Sequence, residues 1–243
     1  MIELVNFSKN YGSVSAVSDF SIKSKDSKIT GLLGANGAGK TTILKAICAI
    51  HYATSGSVLV DNINVEDEPL KVKSMTGYVS ENPRFYENFT VSDFLKFIAD
   101  TRFCNADKAV KAKTIKERTS YVVETCALND VLSKKIAAIS KGYRQRLAFA
   151  AAIMHNPKIL VLDEPVTGLD PVQIQEMRTL IKSMSKNKTI LLSTHLMQEV
   201  SALCDEVVIL TKGRLAASGT PDEILAKSGK SSLEDAFLYF NKI

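Results

Sequence analysis

The sequence predicts an α/β fold with a mainly parallel sheet that carries helices on both faces. Buried strands alternate with helical patterns along its second half: strand 159–162, helix 171–185, strand 189–193, a helix from residue 197 and strand 206–210. This alternation is typical of parallel sheets covered by helices. A glycine-rich loop also separates an apolar strand at residues 28–33 from a helical pattern at residues 41–50. Strand, loop and helix in this order predict a ligand site at the carboxyl edge of the sheet.

The chain is predicted to form a single domain with a helical insertion. Residues 2–7 and 17–22 alternate apolar and polar side chains, as half-buried strands do. Helical spacing then takes over at residues 91–102, 108–128 and 145–154. We therefore expect a core of residues 1–82 and 155–219, a helical insertion at about residues 83–154 and a C-terminal tail at residues 220–243.

Length and composition are those of an ordinary soluble domain. The chain has 243 residues, of which 45% are hydrophobic and 23% are charged, so a core can form without disulfides or metal. No stretch supplies the ~18 uncharged apolar residues that cross a bilayer, and the start of the chain shows no secretory signal. Any function at a membrane is therefore expected to need another chain that crosses it.

Charge and cysteine content argue against several other classes of protein. The net charge is +5, but Lys and Arg are spread along the chain. Their densest stretch, residues 108–118, alternates with Ala, Thr and Val and predicts a solvated helix face. Without aromatic residues among these charges, we expect no nucleic-acid binding. The four cysteines show no Cys-x-x-Cys spacing, so neither a disulfide framework nor a zinc site is expected, and a reducing compartment is favoured.

One glycine-rich segment matches the phosphate-binding loop pattern in full. Its residues are Gly34, Ala35, Asn36, Gly37, Ala38, Gly39, Lys40 and Thr41. Glycines let backbone N–H groups approach phosphate oxygens, which a Cβ would obstruct, and the helix that follows adds its positive dipole end. We expect Lys40 to contact the β- and γ-phosphates and the Thr41 hydroxyl to coordinate Mg²⁺. A plain glycine-rich turn is the alternative.

Three further polar residues follow strands of the same predicted sheet. Asp163 and Glu164 come directly after the strand at residues 159–162, and His195 follows the strand at residues 189–193. We expect Asp163 to hold Mg²⁺, directly or through water, and Glu164 to accept a proton from the attacking water. His195 would hydrogen-bond a γ-phosphate oxygen or position that water. Acidic turn residues and a structural histidine are the alternatives.

With these motifs in this order, the chain resembles the ATP-binding cassette (ABC) family of transporter ATPases from Tyr11 to about Gly219. The family-defining element is the signature loop that follows the helical insertion, matched here by Ile139-Ser140-Lys141-Gly142-Tyr143-Arg144-Gln145-Arg146. The resemblance implies a phosphate-loop NTPase core of the RecA-like kind, an N-terminal antiparallel β-subdomain and an inserted α-helical subdomain. It also implies an enzyme that binds and hydrolyses ATP with Mg²⁺.

The resemblance further implies a role for each matching residue. Lys40, Glu164 and His195 would be catalytic, while Thr41 and Asp163 would bind the metal. Nucleotide contacts would come from Tyr11, from the phosphate loop as far as Thr42, and from Glu81, Ser140 and Gly142. Tyr11 would stack on adenine, an interaction of about 1–3 kcal/mol. Ser140 and Gly142 would contact the γ-phosphate held by the second subunit of a head-to-tail dimer, whose interface Leu169-Asp170 would cross.

Three positions depart from the family pattern. Lys141 and Tyr143 stand where the signature usually has Gly and Gln, and Glu81 stands where the family usually has Gln. These departures are similar to those of bacterial type-2 ABC exporters, including the gliding-motility-associated branch. Two further stretches are close to that branch: Ser193-Thr194-His195-Leu196-Met197-Gln198-Glu199-Val200 and Ser232-Leu233-Glu234-Asp235-Ala236-Phe237.

The family resemblance also predicts partners and a location. We expect a transmembrane permease, a second nucleotide-binding subunit in a homo- or heterodimer, and a cytoplasmic position at the inner face of the membrane. Phe85, Tyr86 and Phe89 would suit a surface for a short permease helix, or they pack locally within the insertion. A non-transport ABC ATPase and a weakly hydrolysing partner in a heterodimer are the alternative functions.

Overall fold

The computed structural model describes residues 1–104 and 108–241. The strands are β1 (Ile2–Tyr11), β2 (Val14–Lys23), β3 (Ile29–Leu33), β4 (Ser55–Val60), β5 (Ile63–Asn64), β6 (Thr76–Val79), β7 (Ile159–Asp163), β8 (Thr189–Thr194), β9 (Glu206–Thr211) and β10 (Arg214–Gly219). The helices are α1 (Lys40–Ile47), α2 (Pro69–Met75), α3 (Val91–Arg102), α4 (Lys108–Thr125), α5 (Lys141–Ile153), α6 (Pro171–Ser185), α7 (Met197–Leu203), α8 (Pro221–Ser228) and α9 (Leu233–Asn241). None of the helices within the described ranges combines the length and the hydrophobicity that a membrane span needs.

The larger sheet confirms the predicted fold class. Its strands run in the order β10-β9-β3-β8-β7-β6, and every neighbouring pair except β10 and β9 is parallel. Every residue of β3, β7 and β8 is buried, as expected for parallel strands with both faces covered. At the carboxyl edge, Leu33 pairs with Thr194, and Asp163 pairs with Ser193. The polar residues predicted for the site therefore leave the sheet at one edge.

The smaller sheet is the predicted N-terminal antiparallel element. Its strands run in the order β2-β1-β4-β5, all antiparallel. Phe7 and Phe20 from its inner face share a buried cluster with Ile43 and Leu44 of α1. The backbone N–H of Ser18 also donates to the carbonyl of Gly213, which joins this sheet to the edge of the larger one. The hairpin of β1 and β2 therefore lies against the start of α1.

Helices α3, α4 and α5 occupy the chain between β6 and β7, where the helical insertion is predicted. Their apolar residues belong to the same buried cluster as β7 and α6, for example Leu95, Leu147, Leu160 and Ile181. The helices therefore pack directly against the sheet rather than around a separate core. Residues 105–107 and the side chains of residues 108–110, which include Lys108 of the basic stretch, lie outside the described residues.

Several predicted boundaries are wrong by a few residues. Strands β1 and β2 extend beyond residues 2–7 and 17–22 because register shifts and the positive φ of Asn6 interrupt the alternation that the pattern follows. Helix α1 ends before residue 50, and Ala49 adopts a left-handed φ of 54°. Helix α5 begins before residue 145 because Ser140 caps its first turn, accepting a hydrogen bond from the N–H of Tyr143.

The C-terminal tail is helical, which the sequence pattern did not specify. Thr220 and Glu223 form a capping box at the start of α8. Ile224 of α8 and Phe240 of α9 join a buried cluster with Ile209 of β9. The tail therefore packs against the end of the larger sheet. Residues 242–243 of the predicted tail lie outside the described residues.

Candidate functional site

The glycine-rich loop connects β3 to α1, as predicted. Gly37 and Gly39 adopt φ values of 79° and 104°, which favour glycine. A Cβ on Gly39 would lie 2.7 Å from the carbonyl oxygen of Ala16, and one on Gly34 would lie 2.7 Å from that of Leu210. The loop is therefore enclosed by the β1–β2 hairpin on one side and by β9 on the other. Its backbone follows a path that larger residues could not take.

A cavity of about 330 Å³ opens beside this loop. Its walls combine the loop, the start of α1 and carboxylates from two other segments: Ala16, Asn36, Gly37, Gly39, Lys40, Thr41, Thr42, Glu81 and Glu164. Helix α1 begins at Lys40 and has no acidic residue in its first turn. The positive end of its dipole therefore acts on the cavity without a neutralising carboxylate from the same helix.

Lys40 is a buried cation at the base of this cavity. Its side chain is 6% exposed, and its ammonium donates to the carbonyl oxygens of Gly34 at 2.8 Å and Ala35 at 3.2 Å. Its Nζ also lies 3.3 Å from Glu164 Oε1, an ion-pair contact rather than a directed hydrogen bond. The ammonium is thus held by neutral carbonyls and one carboxylate, partners that a phosphate oxygen could replace.

Asp163 is held from both flanking strands. The Ser193 hydroxyl donates to Asp163 Oδ1 at 2.6 Å, and the Tyr78 hydroxyl donates to Asp163 Oδ2 at 3.4 Å. Burial, reinforced by the charge of Asp163, raises the pKa of Tyr78 above its ordinary value. The phenol therefore keeps the proton that it donates. The Asp163 carboxylate, 2% exposed, is fixed in one orientation.

Glu164 turns away from Asp163 and into the cavity. Its φ of 49° is rare for a residue other than glycine, and its backbone N–H donates to the Ser193 hydroxyl oxygen at 3.0 Å. Its Oε2 accepts hydrogen bonds from Thr167 Oγ1 at 3.2 Å and from His195 Nδ1 at 2.9 Å. Within the described part of the chain, its buried Oε1 has no hydrogen-bond donor. This oxygen therefore accepts no directed hydrogen bond and forms an ion pair with the Lys40 ammonium at 3.3 Å.

His195 contacts Glu164 rather than the phosphate loop. Its Nδ1 lies 2.9 Å from Glu164 Oε2, and its side chain is 39% exposed. Because a carboxylate accepts only, Nδ1 donates this hydrogen bond. Both roles predicted for His195, a hydrogen bond to a γ-phosphate oxygen and positioning of the water, stay predictions.

The remaining predicted metal ligands fit Mg²⁺ in kind. Thr41 lines the cavity, whereas Asp163 lies behind Glu164 and outside the lining. Among the residues described, no group of three His, Cys, Asp or Glu side chains could hold a metal without other ligands. A hydroxyl and one carboxylate suit Mg²⁺, which takes its other ligands from phosphates and water.

Of the other predicted nucleotide contacts, Glu81 lies at the cavity and Tyr11 lies outside its lining. Glu81 follows β6, is exposed and lines the cavity. Tyr11 ends β1, is 48% exposed and does not line the cavity. Its ring makes an edge contact with His51 at 5.9 Å, and the Lys9 ammonium lies 5.4 Å from its centre. Tyr11 therefore offers an open aromatic face on the hairpin that also supplies Ala16.

Ser140 and Gly142 line a different cavity, of about 610 Å³, which shares no lining residue with the first. A Cβ on Gly142 would lie 2.6 Å from the amide end of the Gln173 side chain, which occupies the space beside this glycine. Lys141 is the first residue of α5 and keeps ordinary helical geometry. Its ammonium fills the space beside Gly168, next to the segment Leu169-Asp170.

Sequence reasoning missed four residues that shape the first cavity. Ser193, Tyr78 and Thr167 orient the two carboxylates, and Ala16 closes the glycine-rich loop. A signal existed for Ser193, a polar residue at the end of an otherwise apolar strand. The roles of Tyr78, Thr167 and Ala16 could be found only from the folded structure. These residues either lie far from the loop in sequence or stand in segments with an ordinary turn sequence.

Comparison with known proteins places these features in a family. The sequence model of the ABC transporter family matches residues 17–167 of this chain. The chain is 30% identical to the ABC transporter ATP-binding protein NatA of Bacillus subtilis (strain 168), covering 98% of this chain and 97% of NatA. It is 33% identical to the Probable multidrug ABC transporter ATP-binding protein YbhF of Escherichia coli (strain K12), over 98% of this chain but only 41% of YbhF. The chain thus spans about two fifths of YbhF.

A solved structure agrees with this assignment. The ATP-binding subunit of an ABC transporter superimposes with a TM-score of 0.86 and 28% identity, covering 99% of both chains. The fold and the phosphate loop define a phosphate-loop ATP-binding cassette. The chain belongs to the ABC transporter family, among its ATP-binding proteins. The predicted family, fold class and ATP-binding subunit are confirmed at this level.

Proposed function

We propose that this chain is an Mg²⁺-dependent ATPase that dimerises around ATP and drives a separate permease. The observation that carries the proposal is the buried Glu164 Oε1, which accepts no directed hydrogen bond among the described residues and lies 3.3 Å from the Lys40 ammonium at the phosphate loop. A proton acceptor opposite a phosphate-binding cation is the arrangement that hydrolysis of a γ-phosphate requires.

Phosphate binding follows from the loop and Lys40. The backbone N–H groups of the loop and the start of α1 would hold the β- and γ-phosphates of ATP. The Lys40 ammonium now contacts two neutral carbonyls. A phosphate oxygen carries more negative charge than a carbonyl, so Lys40 would turn to the triphosphate and neutralise part of its charge.

Metal binding would involve Thr41 and Asp163. When bound, Mg²⁺ neutralises charge on the phosphate oxygens. The Thr41 hydroxyl is well placed to bind it because Thr41 follows Lys40 and lines the cavity. Asp163, 2% exposed and behind Glu164, is better placed to act through a water molecule than directly.

Proton transfer would fall to Glu164. Its Oε1 would accept a proton from the water that attacks the γ-phosphorus, while the bond to the bridging oxygen of ADP breaks. His195 and Thr167 hold Oε2 and so direct Oε1 toward the cavity. We therefore assign His195 to positioning the base and the water.

Two further parts would complete the nucleotide site: a contact to the adenine ring and contacts from a second subunit. The open face of Tyr11 would stack on adenine. Ser140 and Gly142 lie in a cavity apart from the phosphate loop, which supports a role toward nucleotide held by a second subunit. Ser140 stands at the start of α5, where its hydroxyl, nearby N–H groups and the dipole would all favour a γ-phosphate.

A cysteine pair tests ATP-dependent dimerisation. In a Cys104→Ser background, which removes an exposed thiol, we introduce Asn36→Cys in the phosphate loop and Ser140→Cys before α5. ATP without Mg²⁺ should increase the disulfide-linked dimer several-fold over the nucleotide-free sample, because ATP would bring the two positions together. The dimer is measured on a non-reducing gel.

The matched control moves one cysteine away from the proposed interface. Tyr239→Cys on α9, 42% exposed, replaces Ser140→Cys and should give no increase with ATP. Equal cross-linking of the two pairs, or cross-linking that ignores ATP, would contradict the head-to-tail arrangement.

We further propose that the chain docks on a permease and that this permease exports its substrate. It is supported by YbhF, whose name describes a multidrug transporter protein, and by an aromatic surface on the helical insertion. Tyr86, Phe89 and Phe97 are 54%, 36% and 42% exposed, and their rings contact one another at 5.1–6.3 Å. Phe85 packs inward against Phe94 instead, at 5.2 Å. The chain would then act in the cytoplasm at the inner face of the membrane.

Substitution of this surface tests permease docking. Tyr86→Ser with Phe97→Ser should reduce co-purification of the permease from native membranes at least tenfold, because apolar contact area at the docking surface is lost. ATPase activity of the isolated chain should stay within twofold. Tyr239→Ser, an exposed aromatic residue on α9, is the control. An unchanged permease yield in the double variant would show that docking occurs elsewhere.

A further inference from the structure

We propose that Ser193 is a positioning residue for this site, assisted by Tyr78. Ser193 would orient the Asp163 carboxylate toward the metal and the Glu164 backbone toward proton transfer. The inference rests on the proposed function, since it concerns the same metal and the same base. It goes further in assigning a metal-linked role to residues that touch neither ATP nor metal.

The hydrogen-bond directions at Ser193 are fully determined. Its side chain is completely buried, and its single hydroxyl proton is donated to Asp163 Oδ1 at 2.6 Å. The same oxygen accepts the N–H of Glu164 at 3.0 Å. A carboxylate can only accept and a backbone N–H can only donate, so the hydroxyl cannot reverse these roles. One side chain therefore links the two acidic residues.

The link to Glu164 matters because its backbone is unusual. Glu164 has a φ of 49°, a conformation that residues with a Cβ rarely adopt. The hydrogen bond from its N–H to Ser193 holds this turn, and the turn directs the side chain into the cavity. Without the hydroxyl, a buried N–H would lose its partner and the turn would lose a constraint.

The two carboxylate oxygens of Asp163 are held from opposite sides. Ser193 lies on β8 and Tyr78 on β6, the two neighbours of β7 in the sheet. Ser193 holds Oδ1 closely, whereas Tyr78 reaches Oδ2 at 3.4 Å. Each oxygen keeps a further lone pair for a metal or a metal-bound water. Groups that orient a ligand in this way tune its affinity for metal.

The test measures metal affinity directly. Mn²⁺ replaces Mg²⁺, and its binding to the ATP-loaded protein is followed by electron paramagnetic resonance in the Glu164→Gln background, where hydrolysis is blocked. Ser193→Ala should weaken Mn²⁺ binding about 10- to 100-fold. Metal-free binding of ATP should stay within twofold, and Ser193→Thr should restore Mn²⁺ affinity because it keeps the hydroxyl.

Two comparisons separate positioning from stability. Thr30→Val removes another buried hydroxyl, on β3, that has no hydrogen-bond partner in the described structure. It should leave Mn²⁺ binding unchanged. Tyr78→Phe should weaken Mn²⁺ binding less than Ser193→Ala does, in keeping with its longer contact. If a lowered thermal midpoint shows that Ser193→Ala is poorly folded, the Mn²⁺ affinity of Tyr78→Phe is used as the test instead.

The inference is overturned if Ser193→Ala binds Mn²⁺ as tightly as its parent, or if Thr30→Val weakens binding equally. If Ser193→Ala is poorly folded, unchanged Mn²⁺ binding by Tyr78→Phe overturns the inference. Failure of the proposed function looks different. There, the parent protein itself would bind no ATP, or would bind it without taking up Mn²⁺.

Discussion

Glu164→Gln is expected to lower the rate of ATP hydrolysis by about 100- to 10,000-fold, the usual contribution of a general base. The amide keeps the size of the side chain but cannot accept the proton of the attacking water. It also lacks the negative charge that faces Lys40 at 3.3 Å. Affinity for ATP should therefore be kept or increased, and ATP-bound dimers should accumulate.

This prediction is checked by steady-state phosphate release and by the mass of the complex in solution with Mg·ATP. Glu81→Gln is the matched control, since Glu81 lines the same cavity but is exposed. Its turnover in the isolated chain should stay within about fivefold of the parent, because general-base catalysis would not be lost. Near-normal hydrolysis by Glu164→Gln would refute the assignment of the base.

Lys40→Ala is expected to weaken ATP binding by at least about 100-fold. The ammonium would form charge-assisted hydrogen bonds to the β- and γ-phosphates, and each such bond contributes about 1.5–3 kcal/mol. No second cation lines the cavity among the described residues to replace it. Turnover should disappear with binding, since a triphosphate that is not held cannot be attacked in line.

The measurement is a titration with a fluorescent ATP analogue, and Lys45→Ala is the matched control. Lys45 lies in the last turn of α1, away from the phosphate loop, so its removal should change affinity less than threefold. Removing Lys40 also takes away the cation that neutralises the buried Glu164, so the thermal midpoint should fall. Adding Glu164→Gln should restore part of it. Wild-type affinity in Lys40→Ala would contradict the proposed site.

The phosphate loop and Glu164 were predictable because their signals are local. Glycine, lysine and threonine at fixed spacing define the loop, and the backbone angles of Gly37 and Gly39 bear out why glycine stands there. Glu164 was found because a carboxylate after a buried strand must lie at the carboxyl edge of a parallel sheet. At these positions the local sequence pattern and the geometry of a parallel sheet both place the residue at the carboxyl edge of the sheet.

The side-chain contacts of other residues could not be predicted because their partners are distant in sequence. For His195, the sequence did not indicate the contact between its Nδ1 and Glu164 Oε2, a residue 31 positions away. For Phe85, Tyr86 and Phe89, the sequence left a surface and local packing open; Phe85 packs on Phe94, whereas Phe97 of α3 contacts Tyr86. Sequence spacing shows which residues share an element, not which side chains meet across elements.

The sequence by itself determined the alternating fold, the phosphate loop and the acidic edge, since these depend on hydrophobic periodicity and glycine content over a few residues. Tertiary structure alone decided which atoms meet. The pairing of β7 with β8 sets Ser193 against Asp163, and the turn at Glu164 aims one free oxygen toward Lys40. Strand register and side-chain direction arise from packing of the whole sheet, so no short stretch of the chain encodes them.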